Sequence, residues 1–345
     1  MICRAARCRR RCDNRFVVCP EKQSEPFACW VGFSLVELMV VISVVSILAA
    51  LILPVLARSQ EAARRASCQN NLRQWGLIFA MYASESRGGL WPPLQASAPG
   101  AQSVRDVFAV APLSHALMPE YTADYGIYSC PSDLDSPENF ALNLDLATQF
   151  RQRPWLAGRS YAYLGWVIDK ADRPPVSVGS YPALLLLEAL LGGTLDFGGA
   201  VLDAQLVAGL NALLLRVGLP PSLEPNYVQF LLDQDITGVG RHPATGEGLG
   251  VGGSDSIFRL RNGIERFCIT DVNAPAASAQ AQSGLWVMFD QFGKQGRTMA
   301  HQPGGANVLY MDGHVSYVPY LRGDGSQPPL TSTMAATVGR IGNLR

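Results

Sequence analysis

The alternation of apolar and polar positions divides the chain into stretches of different character. Residues 33–57 read FSLVELMVVISVVSILAALILPVLA, an apolar run whose only ionisable member is Glu37. At about 1.5 Å per residue such a helix is roughly 37 Å long, enough to cross a hydrocarbon layer of about 30 Å with some tilt. The pattern therefore predicts one transmembrane helix over 33–57. A cleaved secretory signal has a shorter apolar core, about 7–15 residues, with a small-x-small cleavage site behind it. No such site follows this run. After Ala57 the text becomes RSQEAARRASCQNNLRQWGLIFAMYASES, in which Ala62, Ala66, Leu72, Trp75, Phe79 and Tyr82 recur at three- and four-residue steps. That spacing predicts an amphipathic helix over 58–86, continuous with the first and ended by Arg87, Gly88, Gly89 and then Trp91-Pro92-Pro93.

Residues 87–345 carry the mixed pattern of a globular domain. Pro- and Gly-rich connections at 92–100 and 172–182 read as loops. The leucine-rich block 184–219 is broken by Glu188, Gly192-Gly193, Asp196, Gly198-Gly199 and Asp203. Its longest uncharged stretch, from Ala204 to Leu215, is too short to span a membrane, so two buried or amphipathic helices are expected. Farther on, ANVLYMDGHVSYVPY holds two β-rich runs, 306–311 and 314–320, joined by Asp312-Gly313, the pair favoured in a two-residue type I′ turn. LWVMFD (285–290) reads as a companion strand. The resulting expectation is an α+β fold: a long N-terminal helix, half membrane-spanning and half amphipathic, packed on a globular domain with an antiparallel sheet.

Composition narrows the function classes. With 48% apolar residues among 345, the chain is not a largely disordered one, and 28 basic residues against 28 acidic ones leave no excess for a nucleic-acid footprint. The charge is nevertheless uneven. Arg4, Arg7, Arg9, Arg10, Arg11, Arg15 and Lys22 in the first 32 residues face only Asp13, Glu21 and Glu25. The same leader holds Cys3, Cys8, Cys12, Cys19 and Cys29, whose spacings match no common zinc pattern. Beyond it stand Cys68, Cys130 and Cys268, an odd set that permits at most one intramolecular disulfide and leaves the pairing open. Loop charge does not orient the membrane helix: Arg15 and Lys22 lie within reach on one side, and Arg58, Arg64, Arg65 and Arg73 on the other.

Glu37 is the anomaly, because an ionisable side chain in a membrane helix costs a few kcal/mol, about 2.5–3.5 for Asp, Lys or Arg at its centre. A basic leader ending in Gly32, then Phe33, then Glu37 as the fifth residue after the junction, then about twenty apolar residues, resembles the type IV prepilin signature shared with the pseudopilins of type II secretion. The resemblance implies cutting between Gly32 and Phe33 by a membrane-embedded prepilin peptidase and methylation of the new N-terminal Phe33. It implies a cytoplasmic leader, a helix across the inner membrane and an extracytoplasmic domain. Its partners would be other pilin or pseudopilin subunits, an inner-membrane assembly platform and membrane lipid. In that setting Glu37 pairs with the free ammonium of Phe33 in a neighbouring subunit, and the desolvation cost of each charge is offset only when the pair forms. Pro54 lies where pilin helices often carry a proline, and its missing N–H frees the carbonyl of Ala50.

Farther along, CQNNLRQWGLIFAMYA, CPSD (130–133) and SYAYLGW (160–166) resemble segments of the large prepilin-like families of planctomycetes. His301 with the following PGGANVLYMDG resembles the H-x9-DG element of prepilin-processing-associated proteins, although ten residues rather than nine separate His301 from Asp312-Gly313. The block 184–253 has no counterpart in those families and reads as an insertion. The division implied is a cleaved leader (1–32), a transmembrane helix (33–57), an amphipathic continuation (58–86) and an extracytoplasmic domain (87–345), the hairpin falling in 300–320.

Catalytic chemistry has little anchor. His301, Asp312 and His314 near one hairpin would suit zinc or iron, yet no HExxH pattern accompanies them, and no metal site is expected. There is no G-x-S-x-G elbow, Walker A loop or Cys-x-x-Cys pair. Gly248, Gly250 and Gly253 spell G-x-G-x-x-G, but the residues before them are loop-like rather than a strand, so a flexible loop is expected, with Ser254 or Asp255 capping a helix. His115 and His242 have no recognisable partners. Calcium could use loop carboxylates such as Asp133 or Asp135, whose spacing is not specific; no other cofactor is implied. The expectation is a filament subunit without enzymatic activity. The competing class is a membrane-anchored extracytoplasmic enzyme or binding protein that uses the prepilin signal only for export.

Overall fold

The computed structural model describes residues 34–97, 108–132, 146–190, 197, 199–217, 225–268, 282–291, 301, 304–321 and 327–342. The chain forms two compact units, residues 1–60 and 61–345. Helix α1 (Leu35–Glu85) contributes to both.

In the first unit every large apolar side chain from Leu35 to Leu56 is exposed. The few polar groups there are satisfied within the helix itself. Ser34 N–H donates to Glu37 Oε2 at 3.0 Å, Ser43 Oγ donates to the Val40 carbonyl at 2.8 Å and Ser46 Oγ to the Ile42 carbonyl at 2.6 Å. Such local bonds turn these side-chain hydroxyls and the Glu37 carboxylate back onto the helix backbone, which lowers the cost of an apolar environment. Pro54 sits inside the helix, and the helix continues through it. This stretch is one helix long and apolar enough to cross a membrane.

In the second unit α1 turns one face into the core: Cys68, Leu72, Trp75, Ile78, Phe79 and Ala83 are buried. The spacing is the three- and four-residue alternation of a helix face. Trp75 is fully buried, its indole N–H donating to the Ile127 carbonyl at 3.1 Å and its ring centroid 4.7 Å from that of Tyr128. Phe79 packs between Trp91 and Tyr163. The expected stripe differs at its start. Ala62 and Ala66 are exposed, and the inward positions are Glu61, Arg65 and Gln69. A hydrophobicity count selects alanines, whereas tertiary partners select the polar residues one step away.

The core sheet has four antiparallel strands. After the two-stranded pair β1 (Leu94–Gln95) and β2 (Ala109–Pro112), two short helices follow, α2 (Ser114–Leu117) and α3 (Leu146–Gln152). The edge strand β3 (Tyr161–Tyr163) pairs with β8 (Trp286–Asp290), which pairs with β9 (Gly305–Tyr310), which pairs with β10 (Val315–Pro319). β8 is buried along its whole length and β9 over all but its last residue, so both are mostly apolar without alternation, with Asp290 and Asn307 as buried polar exceptions. Helix α1 approaches β9 closely at Gly76, where a Cβ would lie 3.2 Å from Leu309 Cδ1.

The β9–β10 connection differs in detail from the two-residue turn expected. Tyr310 N–H bonds the His314 carbonyl at 3.0 Å and Gly313 N–H bonds the Tyr310 carbonyl at 2.9 Å, so Met311, Asp312 and Gly313 form a three-residue loop. Gly313 has φ +86°, the left-handed position of the bulge that closes such loops. Asp312 Oδ1 accepts from His314 N–H at 3.1 Å and holds the turn from the side.

The intervening block supplies β4 (Val176–Ser177), helix α4 (Pro182–Leu190), β5 (Val201–Leu202), α5 (Ala204–Val217), α6 (Pro225–Leu232), β6 (Ile236–Thr237) and β7 (Ser256–Ile257). Leu184, Leu202, Val207, Ile236 and Leu249 belong to the same core cluster as Trp75 and Phe289. Asp203 caps α5 by accepting from Leu206 N–H at 2.9 Å, and its own N–H donates to Thr337 Oγ1 on the last helix, α7 (Ser332–Gly342), at 3.0 Å. The 184–253 block is thereby tied to the C-terminal helix.

Candidate functional site

The residues singled out from sequence fall in separate places. Gly32, Phe33 and the whole leader lie outside the described residues, as do Asp133 and Asp135. Glu37 and Pro54 stand on the first-unit part of α1. Asp312 and Gly313 occupy the β9–β10 turn, where His314 stacks on Tyr310 at 4.3 Å between centroids and bonds Asp312 through Nδ1. His301 lies at the opposite end of β9, bridged to Gly305. Six strand residues at about 3.3 Å each put roughly 20 Å between that end and the turn. His301, Asp312 and His314 therefore do not converge on one centre.

His301 instead meets residues that no sequence motif linked to it. Its ring is fully buried. Nδ1 faces Glu61 Oε1 at 3.2 Å, and Nε2 faces Asp290 Oδ2 at 3.0 Å. Asp290, the last residue of β8, is also fully buried, and its Oδ2 accepts from Asn307 N–H at 2.7 Å and Asn307 Nδ2 at 2.9 Å. Gln69 Nε2 donates to Asn307 Oδ1 at 3.1 Å and so sets which way that amide points. Arg64 holds Glu61 from outside at 3.0 Å, and the Arg65 guanidinium lies 4.3 Å over the Tyr317 ring. Cys68 and Cys130 form a disulfide with Cα atoms 5.4 Å apart, and Cys130 Sγ is 3.7 Å from His301 Nε2. Cys268 is the free cysteine of the described residues.

Electrostatics follow from this arrangement. Burial works to lower the His301 pKa, but the hydrogen bond and charge of Asp290, then those of Glu61, outweigh it and raise the value above 6.5. Burial pushes Glu61 up, while the bonds from His301 and Arg64 bring its carboxyl below 4.5. The centre is a buried imidazole clasped by two carboxylates, which favour its protonated form. His301 stabilises the fold fully below pH 6.5, and that contribution is lost as the pH rises through its raised folded value. The Glu61 contribution is present above pH 4.5 and lost as the pH falls through its lowered folded value.

Sequence reasoning missed Glu61, Asp290 and Asn307 because their contacts span up to 240 positions of chain. The available signal was phase. Glu61, Arg65, Cys68 and Leu72 extend the Trp75–Phe79 stripe backwards at four-, three- and four-residue steps, with polar residues in the core-facing slots.

The other candidates resolve into structural roles. His242 Nδ1 accepts from Ala244 N–H at 3.1 Å and Thr245 N–H at 3.2 Å, and its Nε2 lies 2.8 Å from the Pro174 carbonyl, so the ring staples a loop. His115 sits on α2, where burial lowers its pKa. In the G-x-G-x-x-G stretch, Gly248 and Gly250 are demanded by backbone packed on backbone: a Cβ on Gly250 would lie 2.4 Å from Ser256 N. Gly252 N–H, a donor that a phosphate would need, is taken by Asp169 Oδ2 at 2.9 Å. The expected helix cap is replaced by loop bonds, with Asp255 Oδ1 accepting from Gly240 N–H at 2.6 Å and Ser254 Oγ from Ser256 N–H at 3.2 Å. Strand β7, not a helix, follows them.

Compared with known proteins, the chain matches no protein-family model, no curated protein sequence and no solved structure at a significant level.

Proposed function

We propose that this protein is a pilin-like structural subunit, anchored and assembled through the first-unit part of α1, with no catalysis of its own. The observation that carries the reading is the exposure of every large apolar side chain from Leu35 to Leu56 on a helix whose later part is built into an α+β domain. Side chains apolar all round need lipid or neighbouring helices. A pilus or pseudopilus core supplies both in turn, lipid before assembly and other copies after it.

In this reading the prepilin peptidase cuts between Gly32 and Phe33 at the inner membrane, and Phe33 is methylated. The assembly platform then takes up the processed chain, with its domain outside the cytoplasm. Glu37 accepts a hydrogen bond from Ser34 N–H of its own chain, so its carboxylate already points toward the N-terminal end where the Phe33 ammonium would stand. Packing a second copy alongside exchanges that local bond for an ion pair between subunits.

Mass spectrometry of the mature N-terminus tests the processing step. The expected product begins at Phe33 and carries one extra methyl. A chain still joined across Gly32–Phe33 would overturn the reading in favour of a single anchor on an extracytoplasmic binding protein or enzyme. Glu37→Ala tests assembly: membrane insertion should be retained and incorporation into sheared filaments lost. Normal incorporation of the variant would remove the role given to the carboxylate.

A further inference from the structure

The atoms around the Cys68–Cys130 disulfide are arranged as metal ligands in waiting. Cys68 Sγ, Cys130 Sγ and a His301 ring nitrogen all lie within 4.8 Å of one another, and all three residues are fully buried. The nearer nitrogen, Nε2, is 3.7 Å from Cys130 Sγ and 3.0 Å from Asp290 Oδ2. Tetrahedral zinc, with bonds of about 2.3 Å to sulfur and 2.0–2.1 Å to nitrogen or oxygen, separates its ligands by about 3.6 Å for S–N and about 3.3 Å for N–O. The measured separations are within a few tenths of an ångström of those edges. A second observation points the same way. Asp290 Oδ1 is buried and has no hydrogen-bond partner among the described residues, on the carboxylate whose Oδ2 lies 3.0 Å from His301 Nε2.

The surroundings also match what zinc ligands need. His301 Nδ1 faces the Glu61 carboxylate, which would hold a proton on Nδ1, as carboxylate–histidine–zinc arrangements do, so that Nε2, now 3.0 Å from both Asp290 Oδ2 and Asn307 Nδ2, would exchange those contacts for the metal. Asn307 holds Asp290 through two bonds to Oδ2. What the disulfide form lacks is a pair of separate sulfurs.

We propose that the dithiol form of this protein binds one zinc ion through Cys68, Cys130 and His301, with the Asp290 carboxylate beside His301 able to swing into the fourth position, so that disulfide and zinc are alternative cross-links at one place. Opening the disulfide takes two electrons and two protons from a dithiol reductant of the thioredoxin class, which becomes a disulfide. The two thiols, and Nε2 of the imidazole where it is protonated, then lose their protons to solvent as the S–Zn and N–Zn bonds form. In the reverse direction an oxidised protein disulfide accepts two electrons from the thiolates, the Cys68–Cys130 bond forms, and zinc leaves. The link between α1 and the segment at Cys130 is thus kept in both redox states. This matters for a chain made in a reducing compartment and placed in an oxidising one. The inference does not depend on filament assembly.

The test uses the full chain in detergent, reduced with a phosphine, which becomes phosphine oxide as water supplies the oxygen. Zinc alone is added, and excess is removed by gel filtration. The wild-type protein should retain one equivalent more than the Cys68→Ser/Cys130→Ser double variant; the leader cysteines and Cys268 are common to both and cancel. Cobalt(II) in place of zinc should give the visible bands of a tetrahedral thiolate site in the reduced wild type and none attributable to this site after oxidation. In the wild type, zinc should slow alkylation of Cys68 and Cys130 at least tenfold while leaving Cys268 unchanged, read peptide by peptide. His301→Gln should weaken retention at least tenfold, and Glu61→Gln about 10- to 100-fold. Equal zinc content in the wild type and the double variant, or equal alkylation of Cys68 and Cys130 with and without zinc, would overturn the proposal. The alkylation readout needs no variant to fold.

Discussion

The parts of α1 before and after Glu61 are one continuous helix with opposite ways of satisfying their polar atoms. Before Glu61, hydrogen bonds reach three or four residues: Ser34 to Glu37, Ser43 to Val40, Ser46 to Ile42. From Glu61 on, local bonds such as Arg64 to Glu61 are joined by others that cross the fold. Gln69 reaches Asn307, Asn71 reaches the Ser129 carbonyl, Trp75 reaches Ile127, and Glu61 reaches His301. The first kind of bonding leaves the surface from Leu38 to Leu56 dominated by exposed apolar side chains, suited to lipid or to other helices. The second commits the surface to one place in one domain. Length and helical periodicity are shared, so the reach of the polar contacts is what separates the exposed apolar part from the part built into the domain.

The sharpest way to break this contrast is to truncate one large side chain in each part. Trp75→Ala should cost about 3–5 kcal/mol of the second unit's unfolding free energy, from lost burial, ring contacts and an unpartnered Ile127 carbonyl. Leu48→Ala should change the same quantity by less than about 0.5 kcal/mol. Urea unfolding in detergent, followed by tryptophan fluorescence for Leu48→Ala and by circular dichroism for both, would show it. A comparable loss from Leu48→Ala would mean that the first-unit residues do support the domain.

Removing the cross-link is next in size. The disulfide joins residues 62 apart in sequence, and a closed loop of that length restricts the unfolded chain by about 4 kcal/mol in the chain-entropy account. Cys130→Ser without added zinc should lower the unfolding free energy by about that amount. Membrane extraction behaviour, which depends on the first unit, should not change. Altered extraction would show that the two units are not energetically separate.

The smallest expected effect sharpens the contrast through pH. Burial raises the Asp203 carboxyl to about 6, from 3.8. An acid with a raised folded value adds most stability when protonated, so its contribution is full below pH 3.8 and is lost as the pH rises through about 6. The loss above pH 7 is of order 3 kcal/mol. Asp203→Asn keeps an oxygen to cap α5 and removes the charge. It should stabilise the second unit at pH 8, by up to that amount, and add little at pH 4. An equal gain at both pH values would exclude charge burial as the cause.

Much of the architecture was legible because it depends on local pattern. The apolar run at 33–57, the stripe from Leu72 to Phe79, the strands around Asp312-Gly313 and the helices within 184–219 all follow from periodicity and turn chemistry. The departures are as local as their causes. A hydrophobic count chose Ala62 and Ala66, although Glu61, Arg65 and Gln69 face inward. Asp312-Gly313 suggested a two-residue turn, whereas Gly313 in the left-handed region closes a three-residue one. The glycines at 248–253 matched a phosphate motif by spacing, but tight backbone packing and the Asp169 carboxylate account for them.

The candidate site was illegible for a different reason. His301 stood out in the sequence beside Asp312 and His314, its neighbours along the chain, and these end up at the other end of β9. Its partners come from α1, from the end of β8 and from the Cys130 segment. Periodicity reports which face of an element is apolar, and spacing reports what a single element can present. Those physical limits are enough to write the membrane-length helix, its amphipathic continuation and the α+β class into the sequence. Which polar side chains share a buried volume depends instead on how elements far apart in the chain pack. Only packing could place Glu61, Asp290 and Asn307 around one imidazole and choose Cys130 rather than Cys268 as the partner of Cys68.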